Sequence, residues 1–288
     1  MAAVASQGAR RPIRRLAMLV YAVTSQKGGV GKTTTAVNLG AALAEANQRV
    51  LLVDLDPQGS LTAAVGRAAA EITIGEVLTN PALAGKAILP CAGGMKVITA
   101  SARLANVFLE LDESEAPAYQ LMAALDAVAD QFDYVMIDCP PSLSHATTNA
   151  MTAAHVALVP LQCEFLSLRG LADVQEIASA VQETTNPGLR MRVVATMFDK
   201  RTIHANDVLR EARVALPGLV FESVIPRTIR LAEAPAVGQT ILEYASESNG
   251  AFAYRALAQE VLMEDSSYAT TRRHPGSDAE PAYARPAA

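Results

Sequence analysis

The chain has 288 residues, 51% of them hydrophobic and 18% charged, which is enough apolar material to bury one large α/β core. Its formal net charge of −5 does not advertise a nucleic-acid binder, so any such surface must be local. The three cysteines, Cys91, Cys139 and Cys163, fit no metal knuckle and no CxxC, and read as buried thiols of a reduced cytoplasm.

Residues 1–17 begin with a Gln-, Gly-, Pro- and Arg-bearing stretch of little apolar periodicity, expected to be a mobile basic arm. Its four arginines precede the apolar run Leu16–Val23, which alone resembles the start of a secretory signal. The run leads within a few residues into a Gly-rich loop, so it is read instead as the first buried strand, Leu19–Thr24, with Met18 a second candidate start. Short runs rich in Val and Ile follow at Val50–Asp54, Lys96–Thr99, Tyr134–Asp138, Val156–Pro160, Arg192–Met197 and Leu219–Ile225. They are mostly continuous in apolar residues, as strands covered on both faces are. Helical patterns alternate with them at Thr33–Ala46, Ala118–Ala129, Ser144–Ala153, Ser167–Thr184, Thr202–Ala215 and Gly250–Glu264. The expected fold is α/β, a mostly parallel twisted sheet with helices on both faces, spanning residues 18–265. Residues 266–288 read as a disordered tail. No later run has the ~18 apolar residues needed to span a bilayer.

The loop after the first strand reads Lys27-Gly28-Gly29-Val30-Gly31-Lys32-Thr33-Thr34. Glycines let backbone N–H groups approach phosphate oxygens, and the helix opening near Thr33 points its positive end at them. Lys32 reaches the β- and γ-phosphates, the Thr33 hydroxyl is a Mg²⁺ ligand, and Thr34 bonds the α-phosphate. The general P-loop pattern is imperfect, because Gln26 stands where its first Gly belongs. A second lysine, Lys27, opens the loop instead.

Two acidic strand ends follow. Asp54 and Asp56 lie two apart and share one side of an extended chain; alone, this is also the pattern of a polar strand end with an Asp-Pro turn. Tyr134–Asp138 looks like a Walker B strand, in which Asp138 holds Mg²⁺ through water. Ligands of parallel sheets gather at the carboxyl ends of strands, where the loop and both acidic sites fall together.

These residues together resemble the ParA/Soj family of chromosome- and plasmid-partitioning ATPases, within the MinD/ParA group that has a deviant Walker A loop. The resemblance runs from about Tyr21 to Met263 and includes Gln26–Leu39, Val50–Gly59, Ile137–Leu143, Pro160–Leu171, Met197–Thr202 and Ile225–Pro235. It implies an ATPase with ATP and Mg²⁺ as ligands. It implies that Lys27 crosses a homodimer interface to the partner's phosphates, that Asp56 positions the attacking water, and that Pro226 and Arg227 lie near the adenine. Arg201 and Arg230 match family positions implicated in binding non-specific double-stranded DNA. A ParB/Spo0J-like activator and a cytoplasmic, nucleoid-associated location follow from the same resemblance.

Charge adds local support: residues 190–230 carry eight Arg or Lys against four Asp or Glu, a net of +4. No base-reading motif is evident, so the expected contacts are to phosphates. A MinD-like membrane switch would need a basic amphipathic C-terminal helix, which residues 264–288 do not offer. An iron–sulfur ATPase would need cysteines in cluster loops that the Asp138-Cys139-Pro140-Pro141 context does not resemble. A ParA relative positioning another cargo stays open.

Overall fold

The computed structural model describes residues 18–111, 117–142, 145–164 and 167–271. The expected arm at 1–17 and the part of the expected tail beyond residue 271 lie outside the described residues. Eight strands form one sheet: β1 (Leu19–Val23), β2 (Val50–Asp54), β3 (Ile88–Pro90), β4 (Lys96–Ile98), β5 (Tyr134–Asp138), β6 (Val156–Gln162), β7 (Arg190–Phe198) and β8 (Val220–Pro226). Their order is β3-β4-β2-β5-β1-β6-β7-β8, and every pairing is parallel except the antiparallel edge pair β3–β4. β3 escapes sequence reading because three residues ending in Pro show no period.

The helices are α1 (Lys32–Glu45), α2 (Ser60–Ala64), α3 (Ile74–Thr79), α4 (Ala84–Ala87), α5 (Leu104–Leu111) and α6 (Gln120–Asp126), then α7 (His145–Ala153), α8 (Ser167–Thr184), α9 (Ile203–Ala215), α10 (Arg230–Glu233), α11 (Ile241–Tyr244) and α12 (Asn249–Thr271). The continuous apolar strands divide their side chains by the two-residue period of extended chain. Leu19, Tyr21 and Val23 of β1 pack with α1, α2, α11 and α12 on one face. Val20 and Ala22 pack on the other face, in the core that includes α3 and α6–α9. α1 and α7 therefore leave opposite faces, and the loop after the central strand β1 opens between them. This is the topological switch point at which open α/β sheets bind ligands.

The last helix corrects the expected boundary near residue 265, since α12 continues to Thr271. Asp265, which looks like a solvent-facing residue in sequence, is only 2% exposed. Its Oδ2 accepts from the Tyr21 hydroxyl at 2.7 Å and the Tyr134 hydroxyl at 3.2 Å, and its Oδ1 accepts from Arg190 at 3.2 Å. Arg190 also lies 4.1 Å over the Tyr268 ring, which holds the extra turns against the sheet. No helix among the described residues is long and apolar enough to cross a membrane.

Candidate functional site

The Gly-rich loop joins β1 to α1. Gly29 and Gly31 have φ of 75° and 95°, with open space where a Cβ would stand. Only glycine holds that left-handed backbone without strain. Gly31 is the N-cap of α1 and offers no side chain to its first N–H groups, so they remain for an anion. The Thr196 hydroxyl donates to the Val30 carbonyl at 2.9 Å and ties the loop to the end of β7.

Lys32 is buried, and its Nζ donates to the carbonyl of Lys27 at 3.3 Å. Burial lowers its pKa, and the nearby Asp138 opposes the shift. The Thr33 hydroxyl donates to Asp138 Oδ2 at 2.6 Å. The other oxygen, Oδ1, is buried with no hydrogen-bond partner. Burial, then the charge of Asp54, pushes the Asp138 carboxyl up to about 8. An orphaned buried carboxylate oxygen beside a threonine hydroxyl is a donor set that suits a hard divalent cation. Thr33 and Asp138 thus fit the magnesium role expected of them.

The two acidic residues after β2 part company. Asp54 is fully buried; its Oδ2 accepts from the backbone and hydroxyl of Thr62 at 2.8 and 2.7 Å. It anchors the start of α2, and burial pushes its carboxyl up to about 6. Asp56 is half-buried, accepts from the Gln58 backbone at 2.9 Å, and lies near enough to Lys32 and Asp138 to act on their charge. β2 ends at Asp54, but the Leu55 N–H still donates to the Asp138 carbonyl at 3.0 Å, the Asp56 N–H donates to Asp54 Oδ1 at 3.2 Å, and the turn follows at Pro57 and Gln58.

A cavity of ≈ 440 Å³ brings Gly31 and Thr34 together with Pro226 and Arg227. It is completed by residues with no chemical signature in the sequence, among them Met197 and Tyr254. Met197 has φ of 50°, a conformation that costs a non-glycine residue ~1–3 kcal/mol and clusters at ligand sites. The β7–β8 register slips across the same stretch, between Ala195 and Phe198.

The family described as AAA domain (AAA_31) matches residues 18–191, more than half of the chain. The "Chromosome partitioning protein ParA" of Caulobacter vibrioides is 43% identical over 85% of this chain and 94% of its own length. The "Sporulation initiation inhibitor protein Soj" of Bacillus subtilis is 42% identical over 84% and 97%. The chain belongs to the ParA/Soj family. Among solved structures, cobyrinic acid a,c-diamide synthase from Mycobacterium smegmatis with a bound ATP analog and magnesium superposes with a TM-score of 0.77. It is 39% identical, covering 87% of this chain and 97% of that one. This ParA/Soj protein is accordingly a P-loop ATPase that uses ATP and Mg²⁺.

The structure separates the two loop lysines. Lys32 is buried, whereas Lys27 is 41% exposed at the lip of the loop and turned toward β6. There it meets Gln162 and Glu164, which lie in the Pro160–Leu171 segment of the resemblance but to which the sequence assigns no role. The arginines assigned to DNA follow the ends of two neighbouring strands, Arg201 after β7 and Arg230 after β8. Each already holds a carboxylate: Arg201 pairs with Asp199 at 2.8 Å and Arg230 with Glu233 at 2.9 Å. The basic stretch 190–230 is not one face. Arg190 and Arg192 sit at the start of β7 and pair with Asp265 and Glu264, about 20–26 Å of strand from the end of β7 that Arg201 follows.

Proposed function

We propose that this ATPase is a dimerising switch, in which ATP bound by two subunits closes a sandwich that holds non-specific double-stranded DNA. The division of labour between Lys32 and Lys27 carries the reading. Lys32 is buried beside its own subunit's phosphate loop, whereas Lys27 is exposed and held by the surface groups Gln162 and Glu164, a second charge that can be released to serve a neighbour's phosphates. Its charge would stabilise the γ-phosphate in trans, as an arginine finger does, for on the order of 10³-fold in hydrolysis.

Lys32 binds the β- and γ-phosphates, and Thr33 with Asp138 would hold the magnesium, which supplies charge neutralisation at those oxygens. Asp56 orients water for in-line attack. The new P–O bond forms as the bond to the β-phosphate oxygen breaks, and ADP and phosphate leave. Thr34, Pro226 and Arg227 line the chamber that takes the rest of the nucleotide. Arg201 and Arg230 contact DNA phosphates after exchanging their carboxylate partners, an exchange that costs little at exposed pairs. A ParB/Spo0J-like protein stimulates hydrolysis, and the cycle runs in the cytoplasm on the nucleoid to partition a chromosome or plasmid.

Two contacts per subunit make four per dimer, so retention on DNA should fall roughly 100-fold between 50 and 200 mM salt. The test is sedimentation and DNA pulldown with ATP and with ADP, on unrelated sequences. Lys27→Gln should keep ATP binding and lose ATP-dependent dimers. Arg201→Glu and Arg230→Glu should keep dimers and lose DNA. Equal DNA retention with ADP, or normal dimers from Lys27→Gln, would overturn the switch.

A further inference from the structure

We infer, on the footing of the trans role proposed for Lys27, that Gln162 and Glu164 are its positioning residues: they hold it on its own subunit and set the threshold for dimerisation. β6 lies beside β1 in the sheet, so its carboxyl end abuts the phosphate loop. Gln162 ends β6, and the Glu164 backbone N–H donates to the Gln162 carbonyl at 2.7 Å, a tight turn that brings both side chains to one place.

There the three side chains close a ring. Lys27 Nζ donates to Glu164 Oε2 at 3.0 Å and to Gln162 Oε1 at 3.2 Å. The Gln162 amide donates to Glu164 Oε1 at 2.6 Å. Both carboxylate oxygens and the amide are therefore committed to one arrangement of the lysine. A small cavity of ≈ 30 Å³ beside the ring is lined in part by Lys27, Val30 and Gln162.

Lys27 is also tied through its backbone, and that tie is made by Lys32. When phosphates take the Lys32 ammonium, the main-chain tie is given up and only the carboxylate ring still holds Lys27 at home. Reaching a partner's phosphate then means leaving Glu164. The ring is a contact of the separated subunit that the dimer gives up, so weakening it favours the dimer. Both partners are exposed, at 41% and 54%, so each pair contributes at most about a five-fold factor. A dimer releases two of them.

The test uses Glu164→Gln, which keeps shape and removes charge, in the full chain. Without nucleotide, acylation of the Lys27 amine by an N-hydroxysuccinimide ester is followed by peptide mass spectrometry, with Lys86 and Lys96 as internal references. Lys27 should react several-fold faster in the variant while the references stay put. Glu164→Asp, which keeps the charge on a shorter stem, should fall between. With a non-hydrolysable ATP analogue, Glu164→Gln should dimerise about 2- to 30-fold more tightly by sedimentation. High salt should bring wild type toward the variant.

Unchanged Lys27 labelling overturns the ring. Faster labelling with an unchanged or weaker dimer overturns its role as a threshold, and a weaker dimer would mean that Glu164 aims Lys27 within the closed state. The labelling arm involves no dimer, so its result stands apart from the trans reading, which falls only if Lys27→Gln dimerises as wild type does.

Discussion

At the carboxyl ends of the strands, Asp138 is buried with one oxygen bound to Thr33 and the other without a hydrogen-bond partner. Toward the amino ends, Asp265 is buried with both oxygens engaged, by Tyr21, Tyr134 and Arg190. Asp138 ends β5 and Asp265 lies on α12 against the same sheet, and both are buried. The difference is what the chain itself supplies. A buried charge with a full complement of partners holds elements together, and here it fastens the last helix under the sheet. A buried carboxyl left half-satisfied resists ionisation and costs stability until something from outside completes it, which is how a binding site stores its affinity for a cation.

The widest test of that contrast is Asp265→Ala. It leaves two buried tyrosine hydroxyls without their acceptor and takes the carboxylate from half-buried Arg190, and should lower the unfolding free energy by about 3–5 kcal/mol in urea melts. A loss below about 1 kcal/mol would place the network on the surface in solution and dissolve the contrast.

Tyr21→Phe removes one bond to the charged acceptor and leaves Tyr134 and Arg190 in place. The expected loss is about 1.5–3 kcal/mol. Burial and the Asp265 charge hold the Tyr21 hydroxyl far above its ordinary pKa, so the effect should not vary with pH between 6 and 9. A loss that disappears toward pH 9 would mean that the hydroxyl ionises and lies outside the network.

The smallest change, and one of opposite sign, is expected at the other end. Asp138→Asn removes a buried carboxyl whose ionised form the nucleotide-free chain does not satisfy, so stability without magnesium should rise by about 1 kcal/mol. The same variant should lose about 10- to 100-fold in magnesium affinity or ATPase rate. If Asp138→Asn destabilises the chain as Asp265→Ala does, the two ends are alike and Asp138 is a structural residue.

Much of this molecule is legible in one dimension. The seven parallel strands follow from short Val- and Ile-rich runs, because a strand covered on both faces must be apolar throughout. The glycines and Lys32-Thr33 announce an anion site, because their backbone freedom and charge serve few other purposes at the start of a helix. Local chemistry of this kind needs no knowledge of what lies nearby.

The rest depends on which distant residues the sheet order makes neighbours. Asp54 and Asp56 look equivalent in sequence, yet Thr62 captures one and leaves the other beside Lys32. Asp265 looks like a surface residue until Tyr21 and Tyr134, 244 and 131 positions away, meet it. The basic count over residues 190–230 looks like one face until β7 carries its two ends to opposite sides of the molecule. Gln162 and Glu164 lie in a segment of the family resemblance, yet their contact with Lys27 becomes visible only because β6 lies against β1. For the carboxylates and the Lys27 ring the deciding quantity is a hydrogen-bond distance of about 3 Å, and for the arginines the direction of β7; both are set by the fold and neither by local sequence.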